Sequence, residues 1–180
     1  MALFHSNRQK VIFLDVDGTV KVYGKTFEDG HRPIDYINAL CDEFDARVVL
    51  ISSRLDTDGE DSLMQKLEEL GLKKKRYFTP FRIQNTEVWN ARTESIQKFI
   101  KSNGLSYKNC LVFDDVQLDF GKSFGISSPM QSRLIKVDGD MGITEENYNE
   151  ARQKFGANIQ CDEPWLHRAE SQGKTNEGRG

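Results

Sequence analysis

Asp15 and Asp17 stand two residues apart directly after the unbroken apolar run Val11 to Leu14, and Gly18 and Thr19 follow them. The apolar run ends abruptly in acid, and Gly18 lets the backbone turn more tightly than a side chain would permit, so both carboxylates can reach one pocket. A carboxylate held there can attack phosphorus to give an aspartyl-phosphate. A second carboxylic acid two residues on can protonate the leaving oxygen and then activate water. Asp15 is therefore the candidate nucleophile and Asp17 the candidate general acid and base. The same residue types also suit a plain turn with caps, so this reading depends on what the rest of the chain brings to them.

An anion attacking an anionic phosphate needs a cation beside it. Asp114, Asp115 and Asp119 follow a second apolar run, Cys110 to Phe113. Carboxylates grouped without histidine or thiolate select a hard, oxygen-seeking ion, and Mg²⁺ is the expected one. Asp115 and Asp119 are spaced so that a turn or short helix can aim both at one ion. Ser52 comes just after the apolar run Val48 to Ile51, where its hydroxyl can hold a phosphate oxygen. Arg92 opens a helical pattern, where its guanidinium can pair with phosphate and nucleophile. Gly18, Thr19, Ser53 and Arg54 complete the candidates for lining a bound phosphate. Taken singly, the Asp114-Asp115 pair suits a solvated loop as well as a metal site, Ser52 a cap, and Arg92 the surface. Their shared placement, at strand ends or helix starts of one sheet, makes them a set.

The elements that must position them follow from periodicity. Val11 to Leu14, Arg47 to Ile51 and Cys110 to Phe113 are continuous apolar runs of the kind that strands buried on both faces require. Residues 33 to 44 predict a helix, with Pro33 in its first turn and Ile34, Ile37, Leu40, Cys41 and Phe44 at helical spacing. Asp58 to Leu70 predicts a second, through Leu63, Met64, Leu67 and Leu70, closed by Gly71. Tyr77 to Thr79 suits a short strand. A helix at 93 to 103 carries Ile96, Phe99 and Ile100 and ends at Asn103-Gly104. Leu134 to Val137 suits one more strand, and Thr144 to Phe155 one more helix, closed by Gly156. Strands alternating with helices of this length give βαβ units, hence a Rossmann-like three-layer α/β sandwich with a mostly parallel sheet. In such sheets ligands bind outside the carboxyl ends of the strands, where Asp15, Ser52 and Asp114-Asp115 fall.

At 180 residues, 37% of them hydrophobic, the chain suits one globular domain. The expected core is 1–168. Residues 169–180 are almost free of apolar side chains and read as a polar, disordered tail. No apolar run approaches the roughly 20 residues a membrane span needs, and no long apolar leader opens the chain, so a cytoplasmic location without membrane contact is expected. Cys41, Cys110 and Cys161 are far apart and form no CxxC pair, which suggests buried thiols rather than disulfides or zinc ligands. A net charge of -3 gives no global reason to bind nucleic acid. The run Lys73 to Arg76 is either a solvated helix terminus or a patch that steers a polyanion.

The set Asp15-Val-Asp-Gly-Thr19, Leu50-Ile-Ser52, Arg92 and Asp114-Asp115 with Asp119 resembles the four ordered motifs of the haloacid dehalogenase-like (HAD) hydrolase superfamily, across roughly residues 11 to 119. The resemblance implies a magnesium-dependent phosphatase with Asp15 as nucleophile and Asp17 as general acid and base. It further implies that Ser52 binds phosphate, that Asp15, the Asp17 carbonyl and Asp115 hold Mg²⁺, and that Asp119 is an outer acid, with Asp114 contributing. The third motif is more often a lysine. Arg92 keeps the charge but spreads it over a planar fork, and Lys98 and Lys101 stand as alternatives; Ser53 leaves the second motif ambiguous by one residue. A narrower likeness, through Leu50 to Arg54, Thr79-Pro80, Arg92 to Ile96, Asp114-Asp115 and Gly142 to Asn147, is to the small HAD domain of the Swiss-army-knife RNA repair proteins. It implies action on nucleic-acid ends.

Only modest insertions follow the first two motifs, so little or no cap domain is expected. An open site admits a nucleic-acid end or a phosphoprotein as well as nucleotides and sugar phosphates. Two other classes compete with an enzyme: a noncatalytic binding module of the same fold, and a phosphoacceptor receiver domain. Several carboxylates grouped together are costly without a cation, which argues against the first. The acid motif leads the chain rather than supplying a mid-chain acceptor, which argues against the second.

Overall fold

The computed structural model describes residues 8–28, 30–52, 59–73, 76, 91–116 and 130–156, with the side chains of Glu60 and Ala91 excepted. The expected strand at Tyr77 to Thr79, the start of the second helix at Asp58, Cys161 and the tail from residue 169 lie outside these residues.

Four strands form one sheet: β1 (Val11–Leu14), β2 (Arg47–Leu50), β3 (Cys110–Asp114) and β4 (Leu134–Lys136), in the order β2-β1-β3-β4. Every pairing between them is parallel. Four helices join them: α1 (Pro33–Phe44), α2 (Glu60–Leu70), α3 (Ala91–Ser102) and α4 (Glu145–Phe155). Parallel neighbours need crossovers, and helices supply them, which leaves both sheet faces covered. Alternate strand residues accordingly enter two separate cores. Ile12, Leu14, Val48, Leu50, Leu111 and Phe113 pack against α1, α2 and α4. Val11, Phe13, Val49, Ile51, Cys110 and Val112 pack against α3, where the Phe13 and Phe99 rings meet edge to face at 5.6 Å. The three-layer α/β architecture expected from the sequence is present.

The helix ends match their residue types. Gly71 and Gly156 take left-handed conformations at the C-caps of α2 and α4. Thr144 caps α4 rather than beginning it, accepting from Asn147 N at 3.4 Å. Strand β2 stops at Leu50, one residue short of the expected end, although Ile51 N still donates to Leu14 O at 3.0 Å. Cys41 and Cys110 are buried, and burial pushes both thiols up to about 12, so neither is reactive.

In the basic run after α2, the two described cations pair with acids at the end of α1. Lys73 pairs with Asp42, and Arg76 reaches Asp42 and Asp45 at 3.0 and 2.7 Å, so these cations are spent on the end of α1; Lys74 and Lys75 lie outside the described residues. The same junction is held by Asn38, which is 8% exposed. Its Nδ2 donates to Gly71 O at 2.8 Å and its Oδ1 accepts from Lys73 N at 3.1 Å. Removing this amide orphans a carbonyl and an N–H together. Asn38→Ala is therefore expected to cost about 1–3 kcal/mol, read as a lower urea midpoint at unchanged slope.

Candidate active site

The sheet order places β1 between β2 and β3, so the connection leaving β1 runs toward β2 while the one leaving β3 runs the other way, toward β4. A crevice forms at the carboxyl ends where the direction reverses. Registered pairs Leu14↔Leu50 and Leu14↔Phe113 bring the following residues, Asp15, Ser52 and Asp114, to that edge. Asp15 N donates to Phe113 O at 3.0 Å, which extends the ladder by one bond and fixes Asp15 beside Asp114.

Beyond Asp15 the chain curls. Val16 O accepts from the N–H groups of Thr19, Val20 and Lys21 at 3.3, 3.0 and 2.9 Å, and Gly18 N donates to Lys21 O at 2.9 Å. Gly18 holds φ +69°, and a β-carbon there would come within 2.8 Å of Asp115 Cγ. Gly139, in the β4–α4 loop, approaches the same carboxylate beside Gly18: a β-carbon on it would lie 2.9 Å from Asp115 Oδ2. That loop is tight, with Gly142 N donating to Asp138 O at 2.8 Å and Asp140 N to Asp138 Oδ1 at 2.9 Å. Asp115 is thus seated against two adjoining glycines that are distant in sequence.

Asp15, Asp114 and Asp115 each offer an oxygen such that all three atoms lie within 4.8 Å of one another. Asp15 is 5% exposed and Asp114 fully buried. Arg92 Nη1 makes a close ion pair with Asp114 Oδ2, and Val116 N donates to Asp114 Oδ1 at 2.8 Å. Burial raises the Asp15 carboxyl to about 7, with the Asp114 charge adding to the rise and Arg92 opposing it. Burial likewise raises Asp114 to about 6 against the pull of Arg92. Three acids meet here, and Arg92 pairs directly with Asp114. Clustered hard oxygen donors with excess negative charge suit a divalent cation.

The other candidates fall as follows. The Asp17 carboxylate is outside the three-acid cluster; it accepts from Tyr23 OH at 3.1 Å. Ser52 is buried at the end of β2. Thr19 is fully buried with its hydroxyl unpartnered, and its carbonyl accepts from Ile143 N at 3.0 Å. Lys98 and Lys101 are exposed on α3, and Arg92 is the basic residue that reaches the acids. Ser53, Arg54 and Asp119 lie outside the described residues. Among those residues the β1–α1 connection contains no helix or strand that would make a cap. Sequence reasoning passed over Gly139. Its one sequence signal is its place between two acids, Asp138-Gly-Asp140, after a short apolar run.

The φ of Gly139 is not in the left-handed region, so the sole obstacle to alanine there is Asp115. Gly139→Ala is expected to weaken divalent-cation binding at the acidic cluster about tenfold by calorimetry, the scale of losing a ligand-orienting neighbour, while shifting the melting temperature little. Equal affinity in both proteins would show that Asp115 does not need this seat.

A family model described as HAD domain in Swiss Army Knife RNA repair proteins matches residues 11–148. None of the curated proteins matches the chain. Among the described residues, no helix is long and apolar enough to cross a membrane.

Proposed function

We propose, for a chain that belongs to the HAD domains of Swiss Army Knife RNA repair proteins, a magnesium-dependent phosphomonoester hydrolase that works through an aspartyl-phosphate on Asp15, in an open, capless site. The observation that carries this reading is the cluster of Asp15, Asp114 and Asp115 beside Arg92 at the crevice of the sheet. Membership of the family supports a phosphatase-like role, and its printed association with RNA repair favours phosphorylated nucleic-acid ends or nucleotides as substrates.

Asp15, Asp115 and the backbone at Asp17 would hold the ion, with Asp114 and Asp119 supporting it. When bound, Mg²⁺ supplies charge neutralisation and alignment of the phosphate. The chain's own residues do the rest. The Asp15 carboxylate attacks phosphorus as the bond to the leaving oxygen breaks, and Asp17 gives that oxygen its proton. A water then attacks the phosphoryl-Asp15, Asp17 takes the water's proton, and inorganic phosphate leaves with Asp15 restored. Ser52 donates to a phosphate oxygen, and Gly18, Thr19, Ser53 and Arg54 line the same pocket. Arg92 keeps Asp114 ionised in a buried position and so fixes the charge of the site.

Asp15 serves this chemistry at a cost to the fold. Its folded-state carboxyl lies above the ordinary value of 3.8, at about 7, so the folded chain holds this proton more tightly than the unfolded chain. The group's stabilising share is therefore full below pH 4 and is lost as the pH rises to 7. At pH 8 without metal, Asp15→Asn removes the buried charge and is expected to raise stability by about 2 kcal/mol. The same substitution is expected to abolish phosphate release from a panel of nucleotides, sugar phosphates, phosphopeptides and phosphorylated oligonucleotides, and to shrink the melting shift that Mg²⁺ gives the parent protein. Turnover undiminished in Asp15→Asn would sink the mechanism.

A further inference from the structure

Three large hydrophobic side chains are exposed among the described residues: Tyr23 at 64%, Met141 at 49% and Val116 at 40%. Their places in the fold are not scattered. Val116 follows Asp115 directly, Met141 lies in the loop that carries Gly139, and Tyr23 is hydrogen-bonded through its hydroxyl to Asp17. All three sit at the carboxyl edge of the sheet, around the acidic cluster. Isolated exposed apolar residues need no explanation, but a grouping at the mouth of a site marks a surface that meets a ligand.

The segment that carries Tyr23 is mounted rigidly. Ile143 N donates to Thr19 O at 3.0 Å, and Gly142 leaves so little room that a β-carbon would lie 2.8 Å from Val22 Cγ2 and 2.9 Å from Pro33 Cγ. Lys25 Nζ reaches Met141 Sδ at 3.1 Å across the same seam. The Tyr23 ring therefore projects from a segment docked on the β4–α4 loop. Lys21 Nζ lies over the ring at 5.0 Å from its centroid, so the ammonium takes one face and a base would stack on the other.

We infer that Tyr23 forms a stacking wall for the leaving group, and that this leaving group carries a nucleobase, as the terminal nucleotide of a single strand does. The inference rests on the phosphatase reading above, because it takes Asp17 as the group that protonates the leaving oxygen. A ring tied by its own hydroxyl to that acid lies within one side chain's reach of the leaving group. A planar base has a π-face for an exposed tyrosine whatever its sequence, and the strand's phosphodiesters suit Lys21 and Lys25 beside it. A sugar phosphate or a phosphoserine offers no such face.

The test uses the full chain in an Asp15→Asn background, where binding is read without turnover. Fluorescence anisotropy with Mg²⁺ compares a short single-stranded RNA, phosphorylated at its 5′ or its 3′ end, with the same strand made abasic at that terminal nucleotide. Adding Tyr23→Ala is expected to weaken the base-bearing strand about tenfold and to leave the abasic strand unchanged. Tyr23→Phe, which keeps the ring and loses the hydroxyl, is expected to stay within about twofold of the parent, and Tyr23→Trp to bind at least as tightly. Equal losses on both strands would overturn the inference, as would a loss in Tyr23→Phe equal to that in Tyr23→Ala, or no binding of either strand. Turnover is then measured with Asp15 intact. Base-dependent binding without phosphate release would remove the phosphatase reading and keep the stacking wall, whereas magnesium-dependent release with base-blind binding would do the reverse.

Discussion

Asp15 and Asp114 end neighbouring parallel strands at one level, so the backbone hydrogen bonds that define the sheet also hold two acids where water scarcely reaches. Burial raises the proton affinity of both carboxyls, and the Asp114 charge adds to the rise at Asp15. Arg92 answers part of that rise through its ion pair with Asp114. The remainder is left standing by the fold, and Asp115 adds a third acid to it. A stable protein carries such a conflict where it has a use, and a hard divalent cation is the kind of ligand that such a cluster suits.

The backbone around the acids is shaped by the same demand for proximity. Asp115 can enter the cluster because Gly18 and Gly139 present no side chain to it. Gly18 has a second reason to be glycine, its left-handed φ, whereas Gly139 has the approach alone. The site is thus clamped by two loops, one after β1 and one after β4, which meet over a carboxylate after β3. Their contact continues outward through Thr19 and Ile143 to Val22 and Gly142, so the acids and the rim around them are held by one seam.

How much of this could be read in advance depended on the range of the interaction. Helices α1 and α4 and strands β1 and β3 were legible because each is a local pattern: apolar spacing, a cap at Thr144, and left-handed glycines at 71 and 156. Asp15, Ser52, Arg92 and Asp114 were legible as a set because strand ends of a parallel sheet converge on one edge whatever lies between them. The seat of Asp115 on Gly139 was not, since nothing local to Asp138-Gly-Asp140 tells which distant side chain presses on it. The partners of Lys73 and Arg76 were hidden for the same reason: Asp42 sits on another helix and Asp45 at its C-cap. Nothing in the sequence singled out Tyr23, and its bond to Asp17 appears only once Val16 O gathers three N–H groups and curls the chain.

The order of events in the chain makes the chemistry conditional on the fold as a whole. Asp15 arrives with the first strand, yet its neighbouring acids come with the third and the loop that seats one of them comes after the fourth. β1 pairs with both β2 and β3, so no part of the site precedes the central strand and none is complete without its last neighbour. A partly folded chain would leave Asp15 solvated, with an ordinary carboxylate's proton affinity and no clustered partner for a cation. Burial is what gives the residue both its cost and its capacity, and burial is delivered only when β3 closes on β1. The acid motif near the amino terminus is therefore inert as a sequence, and acquires its chemistry from a strand supplied almost a domain's length later.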